Sequence, residues 1–459
     1  MPDKSTWSLI AAAAVAVVTV TAAGFVMVDH HTSPTTKKIT GTTADTPGLA
    51  WSLDAAEYLG RPFADFSDPR DGSSYNSGTP GFVLAGDTLV TLAGVPTEGY
   101  ELDDAVMIGV DAEDGTVRWQ APAADLQQCS GEPLDGKLYC FTMGEGYELV
   151  TYDIESGESA RRPIEESVFG LTTTEDTLYV VEGNAEDNEV RVHSGTYDDV
   201  SANWTQSFDI GGVWEEVFGR DILTVTDGVG LVKTGIEMAQ FNAQSGAELW
   251  KTDDYCLYAA SLESGGVVMQ ANTDCEAYNT VTEQLLRGPD GKVLATARSR
   301  VAQNPVLEDP SDTDGPIILG DAAYDRATGE RLWANADLAT DEQGSQYGAV
   351  TAVVGDVVYL RDPAKTTASG IDLRTGKQLW QRNSEESFTP TAADGSVIVG
   401  EDRVALTALD VSTGRVVWMA PFAAIDADPE TFASGGAVEA YGDGWIFSSD
   451  RRIIGLEPL

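Results

Sequence analysis

Positive charge is scarce in this chain. Only 28 Lys and Arg stand against 74 Asp and Glu, for a formal net charge of −46. The acids are spread along the chain rather than gathered in a tail, and a surface with that field repels phosphate backbones and anionic headgroups, so nucleic acid is excluded as a partner. A solvated acidic surface that keeps the protein soluble is the plain reading. Histidine is scarcer still, with three in all. His30 and His31 follow an apolar run and read as solvated, while His193, in VRVHSG within an expected strand, has no His or Cys neighbour and reads as a hydrogen-bonded structural residue. The four cysteines include no adjacent pair and no Cys-x-x-Cys, which argues against zinc. No nucleophile elbow, phosphate loop or paired-histidine helix occurs, so no catalytic residue is named.

One long hydrophobic run is present. Residues 8–28, SLIAAAAVAVVTVTAAGFVMV, carry no charge, and a helix of about 20 such residues crosses a bilayer. The expected arrangement is a short cytoplasmic head over 1–7, a single transmembrane helix over 8–28, and a flexible Thr, Pro and Gly-rich linker over 29–48. The remainder, 49–459, then lies outside the cytoplasm at the cell membrane. Cleavage near Thr21, Ala22 and Ala23, the competing signal-peptide reading, would make the protein secreted.

An exported chain suits disulfides. Cys129 and Cys140 flank Pro133-Leu134-Asp135-Gly136, and Cys256 and Cys275 are centred on Gly265-Gly266. Each pair can face across a hairpin, within disulfide reach. The expected bonds are Cys129 with Cys140 and Cys256 with Cys275; buried free thiols are the rival reading.

What the sequence has in abundance is repetition. VDAEDGTVRW, FNAQSGAELW, YDRATGERLW, IDLRTGKQLW and LDVSTGRVVW are copies of one unit, in which Asp or Asn precedes Gly by four residues and Trp follows Gly by four. These are Asp111, Gly115 and Trp119; Asn242, Gly246 and Trp250; Asp325, Gly329 and Trp333; Asp372, Gly376 and Trp380; Asp410, Gly414 and Trp418. A further copy keeps Asp153 and Gly157 but has Arg161 in the Trp place, and Trp51 and Trp204 stand at the Trp position of two more. An Asp side chain closes a turn on the amides ahead of it, and Gly supplies the left-handed residue that starts the return strand. Trp then falls on the outgoing strand, where its ring fills the wedge between neighbouring sheets. Packing, rather than an aromatic binding cage, is the role expected of these tryptophans.

Upstream runs such as GDTLVTL, DGKLYCF, EDTLYVV and GDVVYLR add strands, so each repeat holds about four, one propeller blade. Anchored on the Asp position, the copies fall 38 to 47 residues apart, counting degenerate copies near Thr196 and Arg287. This spacing suits blades of about 40 to 50 residues. RRIIGLEPL reads as a third strand without a fourth, and GLAWSLD as a fourth without a third, so one blade is expected to close with strands from both ends of the repeat region. The expected fold is an all-β propeller of four-stranded blades. A literal count is nine; reading one degenerate copy, near 196 or 287, as an insertion sets the expectation at eight, within a range of seven to nine.

These residues resemble the PQQ-like, quinoprotein-type repeat family, whose blades carry an aromatic-x-x-Asp-x-x-Thr-Gly-x-x-x-Trp signature; the resemblance spans residues 49–459 and implies a membrane-anchored bacterial member. The family includes quinoprotein dehydrogenases, a non-enzymatic lipoprotein subunit of the outer-membrane assembly machinery, and sensor domains. The dehydrogenases hold PQQ against two adjacent disulfide-bonded cysteines with a calcium ion beside it, and neither the cysteines nor the calcium set has a counterpart here. The stretch Asp309 to Gly315, with Asp312, Asp314 and, beyond it, Asp321, partly imitates a calcium loop, but Pro310 interrupts the ligand pattern and a plain acidic loop is preferred. The expectation is therefore a non-enzymatic extracytoplasmic binding or scaffold protein, without a cofactor, whose partner is an envelope or extracellular protein. The alternative is a divergent quinoprotein dehydrogenase, with PQQ and calcium, or a sensor binding a small ligand in the central funnel.

Overall fold

Each motif copy folds as the tight hairpin its side chains dictate. Asp111 Oδ1 accepts the Glu113 amide at 2.8 Å, the Gly115 amide donates to the Asp111 carbonyl at 2.9 Å, and Gly115 sits at φ 73°. At Asp153, Asn242, Asp325, Asp372 and Asp410, Oδ1 accepts the amide three residues on at 2.7 to 2.9 Å. These turn donors hold the aspartates below the usual carboxylate range: the Arg118 guanidinium chiefly at Asp111, neighbouring hydroxyls chiefly at Asp153, Asp325, Asp372 and Asp410.

The computed structural model describes residues 43–459 except 75–77, 100, 143–145, 165, 185–186, 212–221, 253–256, 275–276, 300–305, 309, 311–313, 339–348, 363, 384–387, 396, 403 and 427. The described residues form nine antiparallel blades, numbered here in chain order: blade 1 (65–122), blade 2 (126–164), blade 3 (168–208), blade 4 (223–251), blade 5 (257–298), blade 6 (317–334), blade 7 (349–383), blade 8 (389–421) and blade 9 (437–458 with 47–54). Three blades vary the four-stranded plan. In blade 1 the short strand Val83–Ala85 pairs as a fifth with Thr88–Pro96. Blade 6 shows three strands among the described residues, and the strand Val306–Glu308 instead pairs in parallel with Ala349–Val354 of blade 7.

Nine blades correct the expectation of eight. Both degenerate copies are blades, and neither is an insertion. In blade 3 the turn is longer, held by the Thr196 amide donating to Asp199 O and the Asn203 amide to Ser194 O, yet Trp204 still reaches its place. In blade 5 Gly288 to Lys292 make the turn without an Asp at 287, and Ala295 stands where Trp would be. A polar chain substitutes there: Trp250 Nε1 donates to Gln240 Oε1 at 2.8 Å, and Arg287, lying 5.9 Å from the Trp250 ring, donates to Gln270 Oε1 at 2.6 Å.

The blades are locked by tryptophan. Most rings stand beside a small residue on their own blade and against the turn glycine of the next. A Cβ on Gly109 would lie 2.2 Å from Trp119, and one on Gly157 of blade 2 would lie 2.6 Å from the same ring. The indole N–H then donates to the next blade's turn, from Trp119 to Ile154 O at 2.7 Å, from Trp333 to Leu373 O at 2.8 Å and from Trp380 to Val411 O at 2.8 Å. Core side chains accordingly fill wedges between blades, as Leu92, Met107 and Trp119 of blade 1 do with Leu138, Val150 and Tyr152 of blade 2.

Closure follows the same rule. The strand Pro47–Asp54 pairs with Arg452–Pro458, Trp51 opposite Gly455, and Trp51 docks on Gly115 of blade 1 while donating to Ala112 O at 3.2 Å. On the other side Trp418 and Trp445 both donate to Thr43 O, at 3.2 and 3.1 Å, and the Leu459 amide donates to Thr46 O at 3.0 Å. The two chain segments thus rebuild the turn that a continuous hairpin supplies elsewhere.

Cys129 and Cys140 are bonded and directly opposite in the first hairpin of blade 2, with Cα atoms 3.9 Å apart. Cys256 and Cys275 lie outside the described residues, as does the apolar segment 8–28. Among the described residues no helix is long and apolar enough to cross a membrane. Loss of the 11-residue closure at Cys129 and Cys140 removes a constraint worth about 2–3 kcal/mol in the chain-entropy account. The expected result is a lower denaturant midpoint for Cys129→Ser/Cys140→Ser; an unchanged midpoint would show that hairpin pairing alone holds the strands.

Candidate functional site

By topology the first strand of each blade faces the ring axis, and polar groups occur there. Two of them, near the first strand of blade 1, are engaged with one another. Arg70 Nη2 donates to Asp68 Oδ2 at 2.7 Å and to Phe82 O at 3.3 Å, and Asp68 is buried. Glu439 is drawn above the ordinary range, chiefly by burial. The Arg70 guanidinium is therefore already neutralised by its own neighbour.

A different region is open. Where blade 9 meets blade 1, the strand from Pro47 ends at Asp54, whose Oδ1 caps the helix Ala55–Leu59 by accepting the Glu57 amide at 2.8 Å. Gly60 ends the helix in the left-handed region, and the chain passes Phe63 into the strand Asp65–Ser67. Phe63 has φ 66° and is 81% exposed. A bulky side chain at positive φ carries a backbone cost of about 1–2 kcal/mol, and here burial of the ring does not offset it. Strained residues cluster at binding and switch sites.

Phe63 rims a hollow of about 460 Å³ lined also by Asp54, Ala56, Ala64, Asp426, Asp428, Thr431, Arg451 and Arg452. On the other side of the same segment, Leu59 and Arg61 line a second hollow of about 480 Å³ with Val95, Asp104 and Gln120. Residues 55–64 are thus a ridge between two hollows. The ridge is fixed from below by Ala55 N–H to Arg451 O at 3.0 Å and by Phe66 N–H to Asp450 O, and from the side by Tyr58 OH to Gln120 Oε1 at 2.8 Å and Arg61 to Asp104. The opposite wall, 422–434, is seated by Phe422 stacked on Phe432 at 4.5 Å, with Phe447 beneath.

The first hollow and its floor carry five aspartates and two arginines. Arg452 Nη2 bridges Asp54 at 3.0 Å and Asp426 at 2.8 Å, Arg451 lies 3.9 Å from Asp428, and Asp450 accepts from Ser434 Oγ at 2.6 Å. Asp65, beneath Phe63, is pushed up to about 6, by burial first and then by the Asp450 charge, with Arg451 opposing. A carboxyl whose pKa is raised on folding holds its proton more tightly in the native state, so its contribution falls as pH rises from about 4 to about 6 and stays lost above. Discounted for partial exposure, Asp65→Asn is expected to stabilise the protein by about 1 kcal/mol at pH 7.5 and by nothing at pH 3.5. Equal midpoints for variant and parent in urea at pH 7.5 would refute this.

Sequence reasoning pointed elsewhere. Asp309 and Asp312 lie outside the described residues; Asp314 is exposed, and the Asp321 carbonyl accepts the Asn335 amide at 2.9 Å. Among the described residues no cluster of three His, Cys, Asp or Glu is placed to hold a metal ion. His193 is buried, with Nδ1 2.8 Å from Thr205 Oγ1 and Nε2 2.9 Å from Glu182. Asp54, Phe63, Asp65, Asp426 and Arg452 carried no motif; the one local signal was a helix-capping Asp just past the expected last strand of the ring.

The family model described as outer membrane protein assembly factor BamB matches residues 235–389 and 314–458. No curated protein matches the chain by sequence. Among solved structures, BamB from Moraxella catarrhalis is 12% identical, with 82% of this chain and 93% of that one covered and a TM-score of 0.40. Quinohemoprotein alcohol dehydrogenase from Comamonas testosteroni is 12% identical, with 92% and 78% covered and a TM-score of 0.47. Likeness this distant selects neither role. The repeated Asp-Gly-Trp blade motif, the tryptophan-locked blades and the match over the C-terminal repeats together identify the chain as a PQQ-like β-propeller protein.

Proposed function

We propose that the protein is a non-enzymatic binding and scaffold protein whose propeller is presented outside the cytoplasmic membrane by the segment 8–28. The observation that carries this reading is the ridge 55–64, where Phe63 stands 81% exposed between two hollows on a strained backbone. An exposed aromatic flanked by hollows with charged rims is the form of an interface anchor, in which the ring inserts into the partner and the rim sets register. The surplus of aspartate over arginine around it suits a partner surface with basic residues. The assembly role named in the matched family description points the same way.

The test uses the full chain in its native cells with a photo-crosslinking amino acid at position 63, and at position 293 on the outer strand of blade 5 as a control. A discrete adduct with an envelope protein from position 63 alone is expected. No adduct, or the same products from both positions, counts against the reading. So does a rise in melting temperature that requires PQQ with calcium, which would restore the dehydrogenase alternative.

A further inference from the structure

Besides the wedge at blade 5, a second one breaks the rule that blades pack through apolar side chains. In blades 2, 3 and 7 the second strand carries a tyrosine at the same place, Tyr139, Tyr179 and Tyr359. Two residues on, blades 2 and 3 have Phe141 and Val181, whereas blade 7 has Arg361. Two residues beyond the motif tryptophan, blades 1 and 8 have Ala121 and Ala420, whereas blade 7 has Arg382. The register brings these substitutions together, since Arg361 and Arg382 both pair with Ala368 of the strand between them. Two arginines therefore flank one small residue across three adjacent strands, over a span of about 10 Å at strand spacing.

Alternation places both on the face of blade 7 that turns to blade 8, since Tyr359, Ala368 and Trp380 of that face pack with Ile398 and Leu409 of blade 8. Below them the Tyr359 hydroxyl is buried beside Arg382, within its reach as a donor, and across the wedge the buried Thr407 Oγ1 makes no hydrogen bond among the described residues. Thr407 shares its strand face with Leu409. Arg361 Nε and Arg382 Nε are also buried without an acceptor among the described residues. Both guanidiniums lie close enough to the Tyr359 hydroxyl to oppose the rise in its pKa that burial causes. The neighbouring carboxylate, Asp362, is held by Lys365 at 2.9 Å. Orphaned buried donors of this kind call for an acceptor, and two guanidiniums call for a charged one.

We propose that the wedge between blades 7 and 8 binds a small oxyanion, a carboxylate or a phosphate, between Arg361 and Arg382 and above Tyr359 and Thr407. Both arginines are half-buried, with their Nε atoms and Thr407 Oγ1 enclosed, so the opening suits a small free anion better than a macromolecular segment. The site is separate from the ridge at Phe63 and does not depend on the scaffold reading.

The experiment is a thermal-shift titration of the full chain in detergent, with phosphate and with acetate, each against chloride at equal ionic strength. A saturating rise of at least about 2 °C over chloride is expected, lost in Arg361→Gln/Arg382→Gln and kept in Lys292→Gln. Which anion gives it assigns phosphate or carboxylate. Because oxyanions also stabilise proteins generally by exclusion from the surface, an equal rise in parent and double variant overturns the proposal, as does the absence of any rise over chloride. Should the double variant not fold, crystals of the parent soaked in selenate decide the matter: anomalous density between Arg361 and Arg382 supports the site, and its absence there refutes it.

Discussion

Trp119→Ala is expected to lower the free energy of unfolding by about 3–5 kcal/mol, the range for emptying an aromatic site in a packed core. The ring is 7% exposed, sits over Gly109 on its own blade and over Gly157 of the next, and donates to Ile154 O at 2.7 Å. Because both glycines lack the side chains that could collapse inward, the cavity stays open on both sides, which places the expected cost in the upper half of the range. Trp119→Phe retains part of the volume but leaves the Ile154 carbonyl without its donor, for an expected loss of about 1–2 kcal/mol. Urea unfolding of the two variants checks both figures, and an alanine variant within 1 kcal/mol of the parent would mean that tryptophan does not lock the wedge.

Gly414→Val approaches the same lock from the other partner. Gly414 lies at φ 66°, and a Cβ there would stand 2.4 Å from the Trp380 ring, so the substitution combines backbone strain with a steric collision. The first is worth about 1–2 kcal/mol and the second about 1–3 kcal/mol, giving an expected loss of about 3 kcal/mol. Gly136→Ala separates them. Gly136 lies at φ 71° with nothing within 4 Å of the added Cβ, so only the backbone cost of about 1 kcal/mol remains. Equal losses at the two positions would show that turn conformation, and not the ring above it, is what the glycine serves.

The parts of the fold that could be read from residues are those written locally. Asp372, Gly376 and Trp380 lie within nine positions of one another and each acts on its neighbours or on the next turn, so one strip of sequence specifies one hairpin and one lock. Cys129 and Cys140 were legible for the same reason. Blade 5 was not, because its signal is carried by replacements: Ala295 in place of tryptophan, and Gln240, Gln270 and Arg287 in place of an apolar wedge, with Gly329 of the next blade resting on the backbone of Leu294. That is why one degenerate repeat, here or near Thr196, was read as an insertion and the ring counted as eight. The ridge was hidden by distance. Asp54 and Arg452 meet at 3.0 Å across almost the whole chain, and neither is remarkable beside its own neighbours. Arg361 and Arg382 stood in view but carried meaning only once the register set them on either side of Ala368.

The seam between Pro47–Asp54 and Arg452–Pro458 also shapes how the molecule is made. Eight wedges join blades consecutive in the chain and can form as synthesis proceeds, blade upon blade, in the manner of a linear repeat array. The ninth, between blades 9 and 1, waits on completion of blade 9 itself, whose strands some 400 residues apart must pair, as Trp51 and Gly455 do, which places closure among the slow, non-local contacts of folding. Until then blade 9 presents an unpaired edge shaped to receive one strand bearing a tryptophan. The same strand of a neighbouring chain fits that edge equally well, so crowded nascent copies face a choice between closing on themselves and exchanging their first strands.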